Sequence, residues 1–341
     1  MLKRWQFWLG LIISAIFLYW ALSKLQLDLV WDYIKTAQYW WILPGVIVYF
    51  FAVWARTWRW HYMLRSIKLI PLWRLFPLVC IGYMGNNIYP FRAGEFIRAY
   101  VLKRTEQVSV SASLATIIVE RIFDGVVMLL FVFVGLPLAP SIPDGLRRVV
   151  ILFSLFFFGA LAVFFVVAAS PRRSQAVYTW VIDRLVPERF RAPVHGFADR
   201  FLEGLTFLRS GRDVAMVFVT SLVVWLAETV KYWFVMHAFS FTVSFFALML
   251  MNGVVNLATT LPSAPGYVGT FDTPGIEILT MFAVDRNIAA AYTLVLHAAL
   301  WLPITLLGIW YMWRMSVSWR DLGRAAQMKE QGQESLSAGD G

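Results

Sequence analysis

Six apolar runs, near residues 5–22, 40–56, 113–135, 149–169, 214–236 and 288–313, are each long enough to cross about 30 Å of hydrocarbon. That many runs leaves few folds open. Inside lipid every backbone N–H and C=O must be satisfied by the protein itself, and helices do this within a single span. The chain therefore reads as an all-α polytopic membrane protein. Only 15% of its residues are charged, against about 25% in soluble domains, which excludes an ordinary soluble enzyme. The first run follows Lys3 and Arg4 without a convincing cleavage site, so it reads as an uncleaved span.

Two further apolar segments, about 75–90 and 244–282, are interrupted by Asn, Pro and Gly. The first leads into GNNIYPFRAGEFIR (Gly85 to Arg98), with the adjacent amides Asn86 and Asn87. The second contains LPSAPGYVGTFDTPG, with three prolines and three glycines in fifteen residues. Such backbone at membrane depth is tolerated only where protein buries it or water reaches it.

The charges set the topology. Net charge is +10, but cytoplasmic loops of membrane proteins collect Lys and Arg, so no nucleic-acid partner is needed to explain it. Residues 56–74 hold Arg56, Arg59, Arg65, Lys68 and Arg74 without an acid, and residues 91–110 hold Arg92, Arg98, Lys103 and Arg104. Both read as cytoplasmic with only one apolar segment between them, so that segment must enter and leave on one side. With both termini inside, 23 basic residues fall on cytoplasmic positions and five outside, while Arg121 and Lys231 lie within spans. The expectation is six full spans plus two re-entrant, broken helical hairpins, with eight spans as the alternative.

The order span, span, cytoplasmic hairpin, span is followed by span, span, external hairpin, span. That is the order of an inverted-topology repeat, which places a site near the midplane where the two hairpins meet. Pro90 to Gly94 and Pro262 to Gly266 share P-x-x-x-G, a weak match by itself. The corresponding division is a membrane transport domain over 1–319, with half-repeats about 1–145 and 146–319 and a cytoplasmic loop over 170–213. A polar tail over 320–341 reads as disordered. Phe197, Phe201, Leu205 and Leu208 fall at helical spacing, predicting an interfacial helix near 195–209.

Ionisable groups inside spans are costly and usually face the bundle interior with a partner. Glu120 and Asp124 are four apart and share a helix face, and Arg121 can reach Asp124. Glu228 and Lys231 are three apart on another helix. Each group either lines a polar cavity or forms an internal network that fixes packing. Arg92, Glu95 and Arg98 recur at three-residue steps beyond Pro90, with Glu95 in the first turn of a helix starting near Ala93. Arginine suits bidentate contact with phosphate. His297 stands alone in the last span and reads as a packed, hydrogen-bonded histidine. His61, His195 and His237 show no ligand spacing, so no metal and no cofactor are expected.

Three blocks now combine: Asn87 to Arg98 (N-x2-P-x-R-x-G-E-x2-R), the S-x2-L-A-T-x3-E-R-x-x-D block ending at Asp124, and Pro262 to Phe271 (P-x-x-P-G-x-x-G-x-F). Together they resemble the flippase-like transmembrane region of lysylphosphatidylglycerol synthases and its stand-alone relatives in bacteria and archaea. The resemblance covers nearly all of residues 1–315. It implies movement of a lipid with a polar, anionic headgroup between leaflets of a prokaryotic cytoplasmic membrane. The aminoacyl-transferase domain of the full synthases has no counterpart in these residues, so synthesis of the aminoacylated lipid is not expected. The motif positions are Asn87, Arg92, Gly94, Glu95, Arg98, Glu120, Arg121, Asp124, Pro262, Pro265 and Gly266. Without Gly94, and with Asn86, Glu228 and Lys231 added, these are the expected substrate-binding residues. The expected partner is a phospholipid or polyprenyl-phosphate-linked lipid, alongside a homo-oligomer or a lipid-modifying enzyme. Integral membrane transfer of lipid-linked sugars and ion-coupled carriage of a small solute are the alternatives. No Walker-type loop points to ATP hydrolysis.

Overall fold

The computed structural model describes residues 25–89, 92–139, 144–261 and 263–319, together with positions 12, 15, 16, 19, 23, 322 and 323. Most of the expected first span, Pro262 and most of the tail lie outside the described residues. Among the described residues there are twelve α-helices and no strand. They are α1 (Leu27–Thr36), α2 (Ile42–Leu64), α3 (Leu72–Ile88), α4 (Gly94–Glu106), α5 (Val110–Gly135) and α6 (Asp144–Ala169). After them come α7 (Pro171–Leu185), α8 (Glu188–Gly204), α9 (Gly211–Met236), α10 (Phe245–Ala258), α11 (Asp272–Met281) and α12 (Arg286–Arg314).

Among the described residues, four segments are long and apolar enough to span a membrane: Tyr39–Leu64, Arg147–Ala169, Gly211–Met236 and Arg286–Arg314. Helix α5 has the length of a span, 26 residues, but carries Glu120, Arg121 and Asp124 at its middle. The apolar face of α6 is exposed, with Leu155 at 71%. Only a surrounding apolar solvent makes such a face stable. Four helices start where a short polar side chain caps them: Ser109, Ser210 and Ser244 each accept an amide three residues on, and Asp285 accepts two.

Helices α3 and α4 form the first hairpin. Lys68 Nζ lies 3.0 Å from Glu106 Oε2 and Arg74 Nη1 3.4 Å from Glu106 Oε1, so both arms start and finish together. Near the tip the arms approach closely at Gly94, where a Cβ would collide with the Gly82 carbonyl oxygen. The Gly94 amide donates to Asn86 Oδ1 at 2.9 Å. Helices α10 and α11 form the second hairpin and pack on each other. Its tip includes a 3₁₀ turn, Pro265–Tyr267, that touches α3 of the first hairpin.

The packing follows one pattern twice. Helix α12 lies along α3, and α5 lies along α10, so each hairpin is backed by the closing span of the other half. Helices α2 and α9 pack directly against each other between them. Helix α1 rests on α12 as α8 rests on α5. The 170–213 segment contains two helices rather than the one expected near 195–209. Helix α8 ends at Gly204, and Phe207 and Leu208 are buried in a separate 3₁₀ turn, Thr206–Arg209.

Candidate functional site at the meeting of the hairpin tips

Helix α5 places Glu120 and Asp124 on one buried face. Three arginines from three elements converge there. Arg59 of α2, completely buried, reaches Glu120 Oε1 at 3.1 Å and Asp124 Oδ2 at 3.3 Å, and donates to Ser221 Oγ at 2.8 Å. Arg98 of α4 donates to Glu120 Oε2 at 2.8 Å while its guanidinium lies 4.4 Å from the Trp60 ring centre. Arg121 contacts Glu120 and reaches Asp124 Oδ2 at 3.2 Å. The indole of Trp225 donates to Asp124 Oδ1 at 2.8 Å. A buried carboxylate is stable only with its lone pairs taken up in this way.

A second group lies between α2 and α9. Arg56 Nη1 is 2.7 Å from Glu228 Oε1, and Lys231 donates to Glu228 Oε2. The Arg56 guanidinium sits 5.3 Å from the ring centres of both Tyr83 and Trp225. Lys231 is buried over the rings of Tyr49 and Tyr232.

Between these groups and the hairpin tips lies a cavity of roughly 100 Å³, room for a few small groups. Its lining includes Arg56, Arg92 and Arg121 together with Asn87, Gly266 and His297. The Nε groups of all three arginines make no hydrogen bond within the protein. Arg92 and Arg121 share only longer contacts with Glu95 Oε1, at 3.4 and 3.7 Å. Arg92 holds a left-handed backbone (φ 54°) at the first tip and faces the Tyr267 ring of the second at 5.7 Å. Gly266, at φ 72°, lies so close to α12 that a Cβ would meet Trp301 Nε1 at 2.8 Å.

The expected site residues thus divide into two classes. Asn87, Arg92, Arg121, Glu228 and Gly266 border the cavity, and Pro265 belongs to the turn beside it. Glu120, Asp124 and Lys231 are spent on internal partners. So are Asn86, which caps Gly94, and Arg98, although with Glu95 they edge a crevice of about 10 Å³. The sequence reading assigned Arg56 and Arg59 to a cytoplasmic loop, and this needs correction. Helix α2 continues to Leu64, which carries both arginines into the bundle. Their three-residue spacing, and the lack of Gly or Pro between Gly45 and Leu64, is the signal that could have found them.

Residues 7–308 match the family model described as the lysylphosphatidylglycerol synthase TM region. The chain belongs to this family. As a lysylphosphatidylglycerol synthase TM-region protein it has relatives among archaeal membrane proteins. A UPF0104 membrane protein of Methanothermobacter thermautotrophicus is 22% identical over 82% of this chain and 86% of its own length. One from Methanocaldococcus jannaschii is 21% identical over 87% and 91%. Glycosyltransferase AglD of Haloferax volcanii is 27% identical over 67% of this chain but only 41% of its own length. With the helices described, the family membership makes this an integral membrane protein with a lipid-related role.

Proposed function

We propose that this protein moves a lipid with an anionic headgroup from one leaflet to the other, as a transporter and not an enzyme. The observation that carries the reading is the cavity at the meeting of the two hairpin tips, lined by Arg56, Arg92 and Arg121, whose Nε groups make no hydrogen bond within the protein. Guanidinium groups with donors to spare suit a phosphate or a comparable anion. The charge count agrees. Among the described residues of the two clusters, Arg56, Arg59, Arg92, Arg98, Arg121 and Lys231 face only Glu95, Glu120, Asp124 and Glu228. Two positive charges are left over, and an anion would neutralise them.

The acyl chains would stay in the bilayer while the headgroup passes between the hairpins. The paired packing of α2 with α9, α3 with α12 and α10 with α5 supports two half-repeats, about 1–145 and 146–319, of inverted topology. The basic loops support an orientation with both termini on the cytoplasmic side, and the membrane of this reading is a prokaryotic cytoplasmic membrane. The lipid is a phospholipid or a polyprenyl-phosphate-linked lipid, with a lipid-modifying enzyme or a second copy as partner. The name of the Haloferax relative, a glycosyltransferase, favours as a second reading an integral membrane transferase, its substrate in this reading a lipid-linked sugar.

Native mass spectrometry of the purified protein tests the site. The wild type should retain a phosphate-bearing lipid, and Arg92→Gln with Arg121→Gln should release it. Retention of neutral lipid only, unchanged by the double substitution, contradicts the reading.

A further inference from the structure

His297 and Asp272 form a pair whose hydrogen bonds do not close without an additional proton. The imidazole of His297 on α12 has both nitrogens engaged: Nε2 lies 2.7 Å from the carbonyl oxygen of Gly266, and Nδ1 lies 2.8 Å from Asp272 Oδ1. A carbonyl oxygen only accepts, so Nε2 must carry hydrogen. The carboxylate also only accepts, and its other oxygen takes the Gly269 amide at 2.8 Å. Either Nδ1 carries a second hydrogen or the Asp272 carboxyl carries one and donates it to Nδ1. In both forms the pair holds one proton more than neutral histidine beside ionised aspartate, and is electrically neutral.

We propose that this is a proton-coupling site, binding one proton together with the anionic headgroup and releasing it when the second hairpin opens. The inference rests on the transport reading above. His297 borders the same cavity as Arg56, Arg92, Arg121 and Glu228. The phenols of Tyr49, Tyr83, Tyr232 and Tyr267 complete the titratable groups there, and Phe271 stacks on the imidazole at 4.5 Å. Loss of the proton sets either the Nδ1 lone pair against a carboxylate oxygen or the Nε2 lone pair against the Gly266 carbonyl oxygen, and leaves the pair with one negative charge. Two things follow. The clamp from α12 onto the Gly266 and Gly269 turn loosens, and the cavity holds an anion less strongly. By linkage, the bound anion must strengthen proton binding by the same factor. On opening, the proton leaves to water on the side where the headgroup is released.

Asp272→Asn separates the proton from the clamp. The amide nitrogen would donate to Nδ1, the amide oxygen would accept from Gly269, and no titrating proton is required. Short-chain fluorescent phosphatidylglycerol, a phosphodiester whose charge is fixed near neutral pH, reads the coupling in proteoliposomes with the potential held at zero by K⁺ and valinomycin. For one proton per lipid, a gradient of one pH unit should concentrate the label about tenfold in the leaflet facing the alkaline side. Asp272→Asn should equilibrate it evenly. Even distribution in the wild type, or equal concentration in both proteins, overturns the coupling while leaving transport intact. If the wild type moves no lipid above empty liposomes, the transport reading fails instead. Hydrogen–deuterium exchange over residues 263–271, corrected for intrinsic rate, then decides the pair. Protection should fall with rising pH in the wild type and stay level in Asp272→Asn; level protection in both overturns it.

Discussion

Arg59 and Asp124, 65 residues apart in sequence, meet in the protein interior with two guanidinium nitrogens on two carboxylate oxygens. The contact joins α2 to α5, and Arg59 also reaches Glu120 of the same face. Removing the arginine would take one cation from two buried carboxylates and leave them to Arg98, Arg121 and Trp225, and breaking a buried pair by one partner costs about 3–5 kcal/mol. Arg59→Ala should lower the unfolding midpoint in detergent by an amount of that order, whereas Arg104→Ala at the exposed end of α4 should change it little. Equal midpoints for wild type and Arg59→Ala would show that the cluster contributes nothing to folding.

The cavity arginines should behave differently. Arg92 is part-exposed at a tip and pairs only weakly with Glu95, at 3.4 Å. Arg92→Gln should leave the melting temperature within about 0.5 kcal/mol of wild type, as surface substitutions usually do. It should still weaken lipid-phosphate binding about tenfold, the loss of a charge-assisted hydrogen bond of roughly 1.5 kcal/mol. Competition binding with a fluorescent anionic lipid checks this.

Gly266 adopts φ 72° with Trp301 against its missing side chain. Gly266→Ala must either strain the backbone or push α12 away, at a cost of about 1–3 kcal/mol. Transport should fall with little change in which lipid is preferred. Wild-type rates in Gly266→Ala would mean that this tip need not seat on α12.

The first hairpin has a topological consequence. At its base Arg74 of α3 pairs with Glu106 of α4, and Lys103 lies three residues before Glu106 in the last turn of α4. In a Cys80→Ser background, Arg74→Cys and Lys103→Cys should both react with a membrane-impermeant thiol reagent from the same side. Reaction from opposite sides would make α3 or α4 a full crossing.

How far the sequence anticipates this arrangement depends on what each feature requires. Charge counting located the first hairpin because Arg65, Lys68 and Arg74 before it, and Lys103 and Arg104 after it, cannot be stranded on opposite sides cheaply. Asn87, Arg92 and Gly266 stood out because polar or helix-breaking residues are rare at that depth. Partners across elements were not legible. Arg59 with Asp124, Arg98 with Glu120, and Asp272 with His297 are joined only by packing, which a single sequence does not encode as a spacing. Arg56 and Arg59 were misplaced for a related reason. Positive-inside reasoning treats arginine near a span end as loop, but here carboxylates on α5 and α9 neutralise both within the bundle.

Dithionite quenching of a fluorescent anionic lipid in proteoliposomes measures transbilayer movement itself. The purified protein should let inner-leaflet label be quenched, Arg92→Gln with Arg121→Gln should slow this, and empty liposomes should keep the label protected. Equal protection in proteoliposomes and empty liposomes, for both phosphatidic acid and polyprenyl phosphate, would contradict such movement.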